Sequence, residues 1–318
     1  MTPWTVRQVA YLAPVITIAD RTTLLDLYYL GSPGHIATCL LETSDGLALV
    51  DSGPTTTIAR LEKGVAAFGA TLEDVRLLLV THIHLDHSGA AGVLAKRLPR
   101  LKVHVHEQGA KHLIDPEKLL RSATMIYGDQ MERLWGEVLP VPDDQLRVLT
   151  GGERLDLGGR VVRAAYTPGH ARHHVAYYDE LSGIAFTGDV LGEQPFGSTM
   201  AIPVTPPPDI DIEEMIASAD RILEWRPERL FVTHFGPVAD PTGYASEHAE
   251  RLLDWSGRVR DSLSQPGTDE DRAAAVADTI MPEITAVLPP KAADYIPRET
   301  LLGNWVGLAR YWRKRDSA

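Results

Sequence analysis

The segment THIHLDHSG, residues 81–89, concentrates three histidines and an aspartate within six positions, directly after the apolar run VRLLLV. His82 and His84 are separated by one residue, so in an extended segment both imidazoles project to the same side and can bind one metal ion. Asp86 and His87 follow at once. Consecutive side chains diverge, so a tight turn into the next helix aims these two at a second ion beside the first. A single histidine more often sits at a surface or makes ordinary hydrogen bonds. Four such groups clustered behind a buried strand are a different case. Left without partners they cost on the order of several kcal/mol, whereas a metal satisfies them together. Imidazole and carboxylate donors suit zinc, iron or manganese, and paired ions can share a bridging carboxylate and a water. Water held in this way ionises near neutral pH, and the hydroxide attacks a carbonyl carbon or a phosphorus with no serine or cysteine nucleophile.

These donors need strands that end at one edge. IATCLLET, the turn SDG and LALVDSG read as a β-hairpin ending at Asp51, followed by a short amphipathic helix from about Thr57 to Phe68. VRLLLV has the unbroken apolar character of a strand buried on both faces, and it opens into the histidine segment and the helix-like GAAGVLAKRL. LKVHVHE is the next strand, and from Lys111 to Trp135 the apolar residues recur at helical spacing. The plan then repeats. VVRAAYTPGH, HVAYYDE and GIAFTGDV, the last two around the turn Leu181, Ser182, Gly183, make strands ending at His170 and Asp189. A helix from about Ile212 to Trp225 precedes RLFVTHFGP. Two related β-β-α-β units, each delivering an acid and a histidine at strand ends, predict an α/β fold with two sheets face to face and helices outside, a four-layer αββα sandwich. From about Tyr244 onward successive helices, punctuated by Pro266, Gly267, Pro289 and Pro290, form a helical C-terminal appendage. The expected division is a catalytic domain over 1–243 and a helical extension over 244–318.

The chain of 318 residues is 44% hydrophobic, enough for a sizeable core. Its 31 Lys and Arg against 43 Asp and Glu give a formal charge of -12, which repels a phosphate backbone. The expected partner is a small-molecule substrate and not nucleic acid. Cys39 is the only cysteine, which excludes an intramolecular disulfide and a cysteine-built zinc site and suits a reducing cytoplasm. The N-terminal stretch has no basic start followed by an apolar core, and no run approaches a bilayer-spanning length, so a soluble, unexported, cytoplasmic protein is expected. The oligomeric state is not encoded in any pattern of this kind.

His82-x-His84-x-Asp86-His87 resembles the defining motif of the metallo-β-lactamase superfamily. His170 in TPGH, Asp189 in TGD and His234 in THFG stand where that resemblance expects the remaining ligands, in the same order along the chain. The resemblance covers roughly residues 20 to 240. It implies two divalent metal ions, most commonly zinc: His82, His84 and His170 on the first, Asp86, His87 and His234 on the second, and Asp189 bridging. It also gives Asp86 a catalytic part, orienting the nucleophile or carrying a proton to the leaving group. The TPGH and THIHLDH pattern looks closest to the glyoxalase II and lactonase-like branch, which implies hydrolysis of a small ester, thioester or lactone by a metal-bound hydroxide. The same fold and ligands also serve β-lactamases, phosphodiesterases and, with one iron, enzymes resembling persulfide dioxygenases. Flavodiiron enzymes would need a glutamate at His84 and a flavin domain, and a non-catalytic binding protein would not need all seven ligands.

Other polar residues carry two readings each. Asp51 either accepts a hydrogen bond from a ligand histidine or caps a turn. His174, beside His173 in GHARHH, either supports the ligands or is a satisfied buried histidine. His104 and His106 alternate on a strand as a metal pair would, but the ligand set is complete without them, and they read as structural. Met125, Ile126, Tyr127, Met131 and Trp135 form either core or a lid over the metals. The run IPVTPPPDI is either a rigid wall beside Asp189 or a stiff connection.

Overall fold

The computed structural model describes residues 15–195, 198–288 and 298–317; Pro289, Pro290 and the stretch before Val15 lie outside them. The chain forms two compact units, one comprising the residues up to Tyr166 with Val175–Phe186, the other Thr167–His174 with the residues from Thr187 onward.

In the first unit, β1 (Val15–Ala19), β2 (Thr22–Asp26), β3 (Ala37–Thr43), β4 (Gly46–Val50), β5 (Val75–Leu79), β6 (Lys102–His106) and β7 (Leu146–Leu149) form one sheet in that order. β1 to β4 pair antiparallel; β4 to β7 pair parallel. Thr43 faces Gly46 across the expected hairpin turn. Parallel neighbours require crossovers. α1 (Ile58–Phe68) supplies the first, α2 (Leu85–Ser88) and α3 (Ala91–Arg97) the second, and α4 (Glu107–Ile114), α5 (Glu117–Tyr127) and α6 (Met131–Leu134) lie within the third. Leu40, Leu49, Leu61, Val65, Leu78, Leu94 and Val103 build the core where helices cover this sheet.

The same unit holds β8 (Arg154–Asp156), β9 (Val161–Tyr166), β10 (Val175–Asp179) and the first three residues of β11 (Ile184–Gly188), antiparallel in that order. Arg160 fastens them to the first sheet. It is fully buried, pairs with the equally buried Asp179, and donates to the carbonyl of Arg21 at 2.5 Å. From β10, the Tyr177 hydroxyl donates to Val80 O at 2.9 Å and the Val175 N–H to Thr81 O at 2.8 Å. Those two carbonyls immediately precede His82, so β10 fixes the segment that launches the histidine cluster.

The second unit contains α7 (Ile212–Leu223), β12 (Arg229–Val232), β13 (Gly236–Val238), α8 (Pro241–Ser262), α9 (Asp269–Val287) and α10 (Arg298–Asp316). Their starts follow from local chemistry. Asp211 and Asp240 accept backbone N–H groups at the heads of α7 and α8, Pro241 occupies the first turn of α8, and Thr268 and Asp271 form a capping box on α9. Tyr244, where the helical appendage was expected to begin, is already in the first turn of α8. α10 docks through Trp305 Nε1 to Ser262 Oγ at 3.0 Å, Trp312 Nε1 to Ser256 O at 2.9 Å, and a bidentate Arg313–Asp269 pair.

One expected boundary differs. β9 ends at Tyr166 and not at His170, because Pro168 lacks the N–H a strand needs and Gly169 turns the chain at φ +122°. His170 therefore stands on a loop. Among the described residues no helix is long and apolar enough to cross a membrane.

Candidate metal centre

The segment after β5 leaves the sheet in extended conformation, and His84 at φ -60°, ψ 150° is the last extended residue before α2. His82 Nε2 and His84 Nδ1 consequently converge to 3.0 Å. One turn on, Asp86 Oδ2 and His87 Nε2 lie 3.7 Å apart. The imidazole protons are set from behind. Asp51 follows β4 in a left-handed conformation, φ 59°, that turns its carboxylate back over the sheet edge. That carboxylate accepts the Thr81 N–H at 2.8 Å, the Thr81 hydroxyl at 2.9 Å and His87 Nδ1–H at 2.8 Å. With its proton given to Asp51, Thr81 Oγ1 is left to accept from His82 Nδ1 at 3.1 Å. Both rings thus carry their proton on Nδ1 and offer the Nε2 lone pair. Of the two readings for Asp51, the hydrogen bond to a candidate ligand is the one the geometry carries. The loop after β4 also grips the cluster by backbone: Ser52 N–H donates to His87 O at 2.7 Å.

In the second unit, the TPGH loop is seated on the start of α7. Ser218 Oγ donates to Pro168 O at 2.7 Å and Asp211 N–H to Gly169 O at 2.8 Å. A Cβ at position 169 would stand 2.3 Å from Met215 N, so only glycine fits. His170 Nδ1 meets the carbonyl of Val204 at 2.9 Å. A carbonyl only accepts, so this ring too carries its proton on Nδ1 and presents Nε2. Asp189 stands directly after β11, and its carboxylate is split between two histidines: Oδ2 is 3.7 Å from His170 Nε2, and Oδ1 is 3.6 Å from His234 Nε2. These separations are too long for hydrogen bonds and suit co-ligands of two ions. His174 Nδ1 pairs with Thr167 Oγ1 at 2.8 Å while its Nε2 accepts the Asp189 N–H at 3.3 Å. It is a support for Asp189, with both ring nitrogens in use. The IPVTPPPDI run meets this site at His170.

The first unit carries the candidate donors His82, His84, Asp86 and His87, and the second carries His170, Asp189 and His234. The donor chemistry, imidazoles together with carboxylates that offset part of the charge, fits divalent ions.

A wall of aromatic residues stands beside Asp86. Trp135 stacks on Tyr29 at 5.9 Å and meets Tyr127 edge-on at 5.1 Å. Burial, and next the charge of Asp86, push the phenol of Tyr29 well above its ordinary range and that of Tyr127 up to about 12, so both stay protonated donors. Within the segment from Lys111 to Trp135, burial differs from residue to residue. Trp135 packs with Leu85 and Ala123, whereas Met125 is 82% and Ile126 59% exposed. His104 and His106 belong to neither donor set. Burial and the Arg147 charge lower His104 to about 4, and His106 stacks on Tyr166 at 4.4 Å and caps α4. The sequence reading missed Thr81, Tyr29 and Val204. Thr81 stands inside the motif and could have been found there; the other two lie in segments with no pattern.

Residues 31–234 match the family model of the metallo-beta-lactamase superfamily. A metallo-beta-lactamase fold-containing protein of Sulfurisphaera tokodaii is 30% identical over 223 residues, 69% of this chain and 79% of its own length. A hydroxyacylglutathione hydrolase of Synechococcus sp. is 33% identical over 131 residues, covering 41% of this chain and 39% of that enzyme. Among solved structures, a metallo-beta-lactamase family protein of Thermus thermophilus superposes with a TM-score of 0.71 at 23% identity, covering 94% of this chain and 95% of that one.

Proposed function

Because the chain belongs to the metallo-β-lactamase superfamily, we propose that it is a hydrolase using two divalent metal ions, zinc by preference, to cleave a small ester, thioester or lactone. The observation that carries the reading is the completeness of the two donor sets. In this reading His82, His84, Asp86, His87, His170, Asp189 and His234 would hold the ions. When bound, the ions lower the pKa of a water molecule and neutralise charge that develops on the attacked oxygen.

The chain's own residues supply the rest. Asp51, Thr81 and Val204 O meet the Nδ1 atoms of His87, His82 and His170, which leaves Nε2 of each ring facing away from these supports. Asp86 stands in the reacting region as an exposed-edge carboxylate that orients the nucleophile or carries its proton to the leaving group. Tyr29, Tyr127 and Trp135 give an apolar wall with two phenol donors beside it, suited to an acyl group with one polar end. The hydroxyacylglutathione hydrolase relative supports the acyl preference over a phosphodiester, and the charge of -12 argues against a nucleic-acid substrate. We assign this chemistry to residues 1–243.

Elemental analysis of protein purified without added metal should give close to two ions per chain. A panel of aryl esters, acyl-glutathione thioesters, homoserine lactones, β-lactams and phosphodiesters, with glutathione persulfide under oxygen, tests the substrate class. Turnover of an acyl substrate, abolished by chelator and restored by zinc, supports the reading. A fully active single-iron form that consumes oxygen with the persulfide, or turnover confined to phosphodiesters, refutes it.

A further inference from the structure

We infer that Asn304, on the C-terminal helix α10, is a positioning residue for His170, acting through the single peptide group that joins Val204 to Thr205. The inference rests on the reading of His170 as a metal ligand.

His170 Nδ1–H donates to the carbonyl oxygen of Val204 at 2.9 Å. The same peptide unit contributes the N–H of Thr205, which donates to Asn304 Oδ1 at 2.8 Å. A trans peptide is planar and directs its C=O and N–H to opposite sides. The unit is therefore held at both ends, by the imidazole on one side and by Asn304 on the other. Any rotation that releases one bond moves the other. The preceding peptide is held too, because Asn304 Nδ2 donates to Pro203 O at 3.0 Å. A third bond runs from Thr205 Oγ1 to the backbone carbonyl of Asn304 at 3.3 Å.

This arrangement answers a need created by the sequence. Pro203, Pro206, Pro207 and Pro208 have no N–H, so the run they occupy cannot be fixed by pairing as a strand. An asparagine offers a donor and an acceptor on one rigid amide, which matches one free carbonyl and one free N–H two residues apart. The contact is tight as well as polar. A Cβ at Gly307, one turn further along α10, would stand 2.0 Å from Thr205 O. Thr205 is fully buried and Asn304 is 4% exposed, so water does not compete for these groups. With Nδ1 of His170 locked to a carbonyl that cannot turn, the ring is left one orientation for Nε2. Supports of this kind typically change metal affinity ten- to a hundredfold.

The test is zinc affinity of the full chain, measured by competition with a chromophoric chelator, together with the electronic spectrum of the cobalt-loaded protein and the melting temperature of the apoprotein. Asn304→Leu should weaken one of the two zinc ions at least tenfold and alter the cobalt spectrum. Gly307→Ala drives a methyl group against Thr205 O and carries the same expectation independently of the Asn304 variant. Trp305→Phe removes the α10 bond to Ser262 without touching residues 203–205, and it should lower melting while leaving both affinities and the spectrum unchanged. His170→Ala reports on the underlying reading by losing an ion. Wild-type affinities in both Asn304→Leu and Gly307→Ala, with the ion lost in His170→Ala, overturn the inference alone. Loss of affinity in Trp305→Phe equal to that in Asn304→Leu also overturns it, as a mere stability effect. Retention of both ions by His170→Ala overturns the ligand reading on which it stands.

Discussion

Asp51 and His87, 36 positions apart in sequence, meet at 2.8 Å with both side chains wholly shielded from water. A buried carboxylate in that position needs its other oxygen satisfied, and Thr81 does so through its N–H and hydroxyl. Asp51→Asn keeps the left-handed backbone tolerable, since asparagine also adopts it, but removes the charge behind the imidazole. The expected outcome is an affinity for the second metal ion lowered by about ten- to a hundredfold, with KM nearly unchanged. Chelator competition on the purified variant measures it.

Candidate ligands and the buried His104 separate under substitution. His170→Ala and Asp189→Ala should abolish activity together with metal content. His104→Ala should retain both while losing on the order of 1–3 kcal/mol of stability, because its ring is buried on β6 outside the donor sets. Metal analysis beside a denaturant titration distinguishes the cases; loss of metal in His104→Ala with retention in His170→Ala would reverse the assignment.

Trp135 is 7% exposed among Tyr29, Tyr127 and Leu85, so Trp135→Ala should cost about 3–5 kcal/mol at unchanged metal content. Tyr127→Phe keeps the ring and deletes the phenol beside Asp86. Its effect should fall on KM or on the ranking of acyl substrates by several-fold, and not on melting. Steady-state kinetics over two acyl chain lengths would read this, and identical parameters in the variant would return Tyr127 to packing alone.

Burial raises Asp26 to about 6, although the N–H groups of Tyr28 and Gly34 donate to it. An unfolded aspartate titrates near 3.9. The folded state therefore favours the protonated form, and the stability that follows is complete below about pH 4 and lost as pH rises through about 6. Asp26→Asn should gain relative to the wild type across that window, by on the order of 1–3 kcal/mol at pH 7. Thermal melts of both proteins at pH 4 and 7 check the sign; a gap that stays constant contradicts it.

Arg160→Met should destabilise the chain by about 3–5 kcal/mol, because it strands the charge of Asp179 in a site without water. Adding Asp179→Leu should recover part of that loss, the remainder being the turn bonds Asp179 accepts from Ser182. Denaturant midpoints for the two singles and the double variant give the coupling.

The legible parts of this molecule were those with a period or a motif. The unbroken VRLLLV became a strand paired on both edges, and the alternation of His82 and His84 became two nitrogens aimed at one point. Helices α7 to α10 declared themselves by apolar spacing and caps. β7 and β8 did not, because each is short with exposed positions, and β1 and β2 lacked a turn signal: Arg21 takes the left-handed position where glycine would have marked it. The seven donors were readable because their types are unusual together. Among their supports, Asp51 and His174 were legible as candidates and the others were passed over. Thr81, Val204 and Asn304 act through ordinary hydroxyl, carbonyl and amide groups, and Val204 acts through a backbone atom that its side chain does not advertise.

The bond between α10 and the IPVTPPPDI run also dates the assembly of the centre. A nascent chain leaves the ribosome N-terminus first at about 5–20 residues per second. His170 emerges 134 residues ahead of Asn304, which makes an interval of roughly 7 to 27 s at those rates. Throughout it the Val204 carbonyl has no Asn304 holding its peptide from the far side, so on this inference His170, the fifth of the seven candidate donors to be synthesised, gains its full orientation only once α10 has docked. On that inference a stalled chain that carries every candidate donor but lacks α10 still has the peptide behind His170 held from one side only.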